Sequence, residues 1–319
     1  MYLLLGGGIL LLLIILLLAG PRVEVDTTLH PLTLPEDLDA YLAEQEAAYD
    51  DLVPGTEKII RWADEPGRKT PFSIVYLHGF SATRQESAPL ADKVAEAMGA
   101  NLFYTRFTGH GRTGEAMLEC SVNAYINDIS EAMAIGRRIG DRVIVIGLST
   151  GATAATWLAV QPMGKQVAAF ILISPNYALA DKRSLLLSWP WGGLIGELVN
   201  GPEYSWKPQN PLHSKYWTYR FPTRALLPMI QFVRLIRSLP LGTISQPWLT
   251  IYSPFDRVID PKAIPATFNR IGSADKLLVP ISDTEAPERH VLAGDILAPN
   301  CTATIETIIL DFLSVCAST

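Results

Sequence analysis

The chain has 319 residues, a net charge of −6 and 49% apolar residues. That length supports a large core, either as one α/β domain with an insertion or as two smaller domains. The acidic balance and the scarcity of basic clusters exclude a nucleic-acid surface, and three cysteines without zinc-like spacing give no structural metal.

Tyr2 to Gly20 carries no charge and is mostly Leu and Ile. As a helix it is about 28 Å long, close to the hydrocarbon thickness of a bilayer, and Pro21 stops it. No Lys or Arg precedes the run, and it is longer than the apolar core of a cleaved signal. Residues 1–20 are therefore expected to be an uncleaved, single-pass membrane anchor, with residues 21–319 as the folded domain. Arg22, the one basic side chain nearby, leans that domain towards the cytoplasm.

Thr27 to Pro35 is proline-spaced and reads as an extended linker. Glu36 to Asp51 places Leu38, Tyr41, Leu42 and Tyr49 near helical spacing, which predicts an acidic amphipathic helix whose charges form a solvated face. Lys58–Trp62 predicts a short strand, Asp64–Pro71 a turn, and Ser73–Leu77 a buried strand ending at His78-Gly79-Phe80. Ser87–Met98 reads as a helix, Asn101–Tyr104 as a strand and Ser121–Ile139 as a helix. An apolar strand from Val143, a helix from Ala152 and a strand over Val167–Ile173 follow. Strands and helices in alternation imply a mostly parallel central sheet with helices on both faces.

The alternation breaks between Ser174 and Thr243, a stretch rich in Trp, Tyr and Pro. No strand is convincing there, and Phe232–Leu239 is the clearest helix. The segment is too long for a simple crossover and reads as an inserted cap over about residues 175–243. Most of its aromatics form the cap's own core, while a few line an acyl pocket or touch lipid. Alternation resumes with a strand at Trp248–Tyr252, a helix at Pro261–Ile271, a strand at Lys276–Ile281 and a helix at Ala303–Val315. Cys301 and Cys316 fall on that last helix, about 22 Å apart, which excludes a bridge. A Cys120–Cys301 pairing stays open.

Gly147-Leu148-Ser149-Thr150-Gly151 is a G-x-S-x-G sequence placed between a strand and a helix. A serine at so tight a turn is exposed at the carboxyl end of the sheet, with the helix N-terminus beside any anion formed there. Ser149 is the candidate nucleophile. It needs a base, and histidine has the pKa for that at neutral pH. Of five histidines, His30 sits in the linker, His78 and His110 lie in His-Gly turns and read as turn-stabilising, and His213 is in the cap. His290 follows the last strand on the carboxyl side of the sheet, where ligands gather in open α/β folds, and is the candidate base. Asp256, after the Trp248–Tyr252 strand, is the candidate acid that orients the imidazole. Asp181 is the alternative supplied from the preceding strand, and Asp260 and Asp283 lie nearby. Candidate oxyanion donors are the amides of Thr150 and Phe80.

With His78-Gly79-Phe80, Gly109-His110-Gly111-Arg112, Gly147 to Gly151, Asp256-Arg-Val-Ile-Asp260 and His290 in this order, the chain resembles the α/β-hydrolase superfamily. The resemblance is to its monoacylglycerol lipase, lysophospholipase and carboxylesterase branch, and it runs from about Lys58 to the C-terminus. It implies a Ser149–Asp256–His290 triad, a mobile cap, no cofactor and no metal. The expected activity is hydrolysis of carboxylic esters, and the anchor and the apolar aromatic cap favour lipid-like acyl esters over polar ones. An amidase or peptidase on the same triad, or a non-catalytic ligand-binding protein of this fold, is the alternative. The sequence departs from the pattern in lacking an acidic residue before the Gly-His-Gly turn, where Thr105–Thr108 stand, and in the β-branched Thr150.

Overall fold

The computed structural model describes residues 15, 16 and 18–317. Most of the expected anchor, residues 1–14 and 17, lies outside the described residues. Among those described, no helix is long and apolar enough to cross a membrane.

The folded domain begins with α1 (Leu38–Ala47) and runs through β1 (Ile59–Arg61), β2 (Thr70–Leu77), α2 (Leu90–Met98), β3 (Asn101–Tyr104), α3 (Val122–Ile139), β4 (Gly140–Leu148), α4 (Thr150–Ala159) and β5 (Val167–Ile173). The cap holds α5 (Gly192–Asn200), β6 (Glu203–Ser205), α6 (Pro211–Tyr216), β7 (Arg220–Pro222) and α7 (Leu226–Arg237). The domain closes with β8 (Trp248–Tyr252), α8 (Ala263–Phe268), β9 (Lys276–Pro280) and α9 (Thr302–Ala317).

Seven strands form one sheet in the order β1-β3-β2-β4-β5-β8-β9, parallel except for β1, which runs antiparallel to β3 at the edge. The central strands are apolar on both faces because helices cover both. Val75, Val145 and Phe170 pack on one side of the sheet, and Ile74, Ile144 and Ile171 on the other. This mostly parallel sheet with helices on both faces matches the expected α/β-hydrolase architecture.

Several boundaries move for local reasons. The helix expected from Ser87 starts at Leu90, because Pro89 disfavours helical backbone at Ala88. Ser121 is instead the cap of α3, its hydroxyl accepting the Ala124 N–H at 2.9 Å. The cap does contain strands: β6 and β7 pair antiparallel, Tyr204 opposite Phe221, in runs of three residues too short to leave a periodic signal. The acidic face of α1 is not wholly solvated, since Glu46 is buried against Arg106. Cys120 and Cys301 do not pair; Cys120 Sγ donates to Thr108 O at 3.1 Å and Cys301 Sγ to Thr284 Oγ1 at 3.6 Å.

Candidate active site

Ser149 stands between the end of β4 and the start of α4 with φ 54° and ψ −114°, outside the regions open to most L-residues. The surroundings enforce this conformation. A Cβ on Gly151 would lie 1.9 Å from the Leu77 carbonyl oxygen, and one on Gly147 would lie 2.6 Å from the Gly151 oxygen. Strand, elbow and helix thus pack too closely for any side chain at either position. The Ser149 N–H is tied to Ile173 O at 2.9 Å, and its carbonyl accepts the Asn176 N–H at 3.1 Å. Strain held by such contacts is characteristic of functional positions.

His290 Nε2 lies 2.9 Å from Ser149 Oγ, and His290 Nδ1 lies 2.6 Å from Asp256 Oδ2. The three residues come from the loops after β4, β8 and β9, all at the carboxyl end of the sheet, and all three are buried. Asp256 Oδ1 accepts the Val258 and Ile259 N–H groups at 2.8 and 3.0 Å, which turns Oδ2 towards the imidazole. The residue is therefore both a turn former and the partner of His290. The alternative acid, Asp181, is exposed and paired with Arg183 at 2.7 Å, and Asp260 accepts the Lys262 N–H at 3.1 Å. With its proton on Nδ1, bonded to Asp256, the imidazole is left able to accept the Ser149 proton at Nε2.

Both candidate oxyanion donors border the same space. Thr150 is the first residue of α4, so its N–H has no acceptor within the helix. Phe80 follows Gly79, whose carbonyl lies 2.8 Å from His78 Nδ1. His78 Nε2 accepts the Phe107 N–H at 3.0 Å, so Nδ1 carries the proton and donates to Gly79. The Phe80 N–H leaves from the opposite side of that trans peptide. Burial keeps His78 neutral, well below its usual pKa, as this bonding demands. His78 is thus a turn residue, as expected, and its turn shapes the site. His110 also lies in a buried turn, its Nδ1 3.0 Å from Thr108 O.

A cavity of about 690 Å³ opens above Ser149, bounded by both donor residues, His290 and the cap. Leu187, Ile195, Leu226, Met229 and Ile230 supply an apolar wall. Of the cap's aromatics Tyr204, Trp206, Trp217 and Phe221 reach the cavity, with Phe80 stacked edge-on against Phe221 at 5.5 Å. His213, expected only as a cap residue, also borders it, held between Trp206 and Trp217. Among the described residues no group of His, Cys, Asp and Glu is arranged to hold a metal ion.

Three site residues escape a reading of the sequence. Ser174 Oγ donates to the His290 carbonyl at 2.6 Å. Asn176, buried beside Thr150 and Met229, borders the cavity with its Oδ1 unpartnered among the described residues. Glu86 is buried under the His78-Gly79-Phe80 turn. Each lies just past a recognisable strand or motif, but its polar character only becomes informative once burial is known.

A parallel sheet with a strained serine at its carboxyl edge, a histidine and an aspartate on the two later loops and a cap above them defines the α/β-hydrolase class. Within it, the chain matches the Hydrolase_4 family, described as serine aminopeptidase S33, over residues 69–283, and belongs to that family. It is 25% identical over 209 residues to the thermostable monoacylglycerol lipase of Bacillus sp. (strain H-257), spanning 66% of this chain and 80% of that protein. The fold is shared with LipS and LipT, described as metagenome-derived lipolytic enzymes (TM-score 0.68, 21% identity, 82% of this chain and 99% of the other). It is also shared with the Saccharomyces cerevisiae monoglyceride lipase (TM-score 0.59, 14% identity, 84% and 98%).

Proposed function

We propose that this chain is a serine hydrolase of lipid-like carboxylic esters. The observation that carries the reading is the continuous Ser149–His290–Asp256 hydrogen-bond chain at the floor of a mostly apolar cavity. Ser149 Oγ attacks the acyl carbonyl as His290 Nε2 takes its proton, and Asp256 stabilises the imidazolium. The Phe80 and Thr150 amides hold the tetrahedral oxyanion. His290 returns the proton to the departing alcohol, and water then releases the acid from Ser149 by the same route. The apolar wall from Leu187 to Ile230 receives the acyl chain, in keeping with the lipase names of the relatives.

Residues 1–20 hold the enzyme at a membrane in this reading. Its support is the uncharged run itself, whose described end lies against the cap. Trp191 Nε1 donates to Leu16 O at 3.1 Å, and Trp191 N–H donates to Pro21 O at 3.0 Å. The full chain should sediment with lipid vesicles, and the chain lacking residues 1–20 should not; equal sedimentation would remove this part of the reading.

The activity is tested with a short-to-long acyl p-nitrophenyl ester series. Ser149→Ala should lower turnover by about 10³-fold or more, and Asp256→Asn by about 10²–10⁴-fold. Turnover retained in folded Ser149→Ala would exclude the mechanism. The family description includes aminopeptidases, so aminoacyl amides belong in the same assay. Serine-dependent cleavage of amides but not esters would assign the triad to peptide bonds instead.

A further inference from the structure

Glu86 lies on a single turn between β2 and α2, is 1% exposed and borders the cavity above Ser149. Its Oε1 accepts the Gly79 N–H at 2.8 Å and the Tyr76 hydroxyl at 2.9 Å. Ser87 Oγ in turn donates to the Tyr76 oxygen at 2.6 Å. Gly79 is thus held on both sides, its N–H by Glu86 and its carbonyl by His78. Together they set the peptide plane from which the Phe80 N–H emerges.

The carboxyl is also close to the reaction. A Cβ on Gly79 would lie 2.9 Å from Glu86 Oε2 and 3.3 Å from Ser149 Cβ, so one absent methyl group separates acid and nucleophile. A carboxylate there would repel an oxyanion through a low-dielectric gap, whereas a neutral acid keeps the Gly79 bond without that penalty. Among the described residues no cation is directed at Glu86 to offset its charge. Tyr76 faces it from β2, with Tyr104 of β3 behind at 5.5 Å. Arg84, on the same turn, is directed to Glu57 at 3.6 Å and to the Tyr104 ring. The loop after His290 contributes the backbone of Gly294, and His290 itself stands on the far side of Ser149.

We propose that Glu86 is a positioning residue that works only while protonated, holding Gly79 so that the Phe80 amide meets the oxyanion. Loss of its proton turns a support of the oxyanion site into an opposing charge. Burial pushes the carboxyl up to about 8, so the proton is retained at neutral pH and lost in mild alkali. This role rests on the ester-hydrolase reading above.

The test compares the full chain with its Glu86→Gln and Glu86→Ala variants from pH 6 to 9.5. One readout is p-nitrophenyl butyrate turnover, corrected for spontaneous hydrolysis. The other is affinity for an alkyl trifluoromethyl ketone, which adds to Ser149 as an oxyanion without turnover. For the wild-type chain, kcat should fall by about tenfold or more through a single ionisation near 8, with KM nearly constant. Glu86→Ala should lower kcat by about 10²-fold at pH 7, the loss expected for one oxyanion donor. Glu86→Gln should restore most of that turnover and abolish the alkaline fall in both kcat and ketone affinity. Equal alkaline limbs in wild type and Glu86→Gln, or an unaltered kcat in Glu86→Ala, would overturn the proposal. If Glu86→Ala does not fold, the comparison of wild type with Glu86→Gln decides alone. A wild-type chain that adds the ketone yet cleaves no ester would sink the ester reading, while its ketone titration still judges Glu86.

Discussion

The Ser174 hydroxyl, on a residue with φ 46°, donates to the main-chain carbonyl of His290 at 2.6 Å. Ser174 is itself held by its N–H to Ile251 O at 2.8 Å. The loop bearing the base is therefore tied to the end of β5, the strand beside the one that leads into Ser149. Removing one such bond costs about 1 kcal/mol and lets the imidazole drift. Ser174→Ala should lower kcat by roughly three- to tenfold with KM unchanged, and steady-state kinetics on a fixed ester measures it.

Arg106 donates to Glu46 through Nε at 2.8 Å and Nη2 at 2.9 Å, with only 3% and 7% of the two side chains exposed. The pair fastens α1 to the turn ahead of Gly109. Removing one partner leaves the other charge buried. Glu46→Ala should therefore cost on the order of 3–5 kcal/mol in urea unfolding. A loss below about 1 kcal/mol would mean that water reaches Arg106 freely.

Gly151 has no room for a methyl group, since its Cβ would meet Leu77 O at 1.9 Å and His78 O at 2.7 Å. Both contacts are backbone, so no rotamer change relieves them. Gly151→Ala should destabilise the fold by about 3 kcal/mol or more, or prevent soluble expression, and should disturb the oxyanion turn in any protein that does fold. Normal thermal stability together with normal turnover would contradict the packing described.

Stability should fall away on both sides of mildly acidic pH. His78 and His110 are buried and neutral, His78 held well below its usual pKa and His110 pushed down to about 4. The unfolded chain takes up protons at these sites first, so their contribution is present above 6.5 and lost as pH falls through that value towards 4. Glu86, raised from 4.5 to about 8, has the opposite sign: the unfolded chain releases the proton first, and stability falls as pH rises from 4.5 to 8. Glu86→Gln should abolish that second loss, gaining on the order of 3 kcal/mol over wild type at pH 7, read as a higher thermal midpoint. Equal midpoints of wild type and Glu86→Gln at pH 8 would show that Glu86 is solvated.

The order of elements was legible in the chain because it rests on local chemistry. Short apolar runs rich in β-branched and aromatic residues, such as Val167–Ile173, read as strands buried on both faces, and the Gly-x-Ser-x-Gly turn demands its two glycines on steric grounds. Bringing Ser149, Asp256 and His290 to one edge then follows from the parallel direction of their strands, which puts the loops after them on the carboxyl side of the sheet. The short cap strands were not legible, since three-residue pairs owe their existence to each other and not to periodicity. Nor were the roles of Glu46, Glu86 and Ser174. A carboxylate or hydroxyl looks the same in sequence whether it faces water or a buried partner. Only the tertiary structure removes the water, and desolvation is what turns these ordinary polar residues into a brace, a buried acid and a tether for the base.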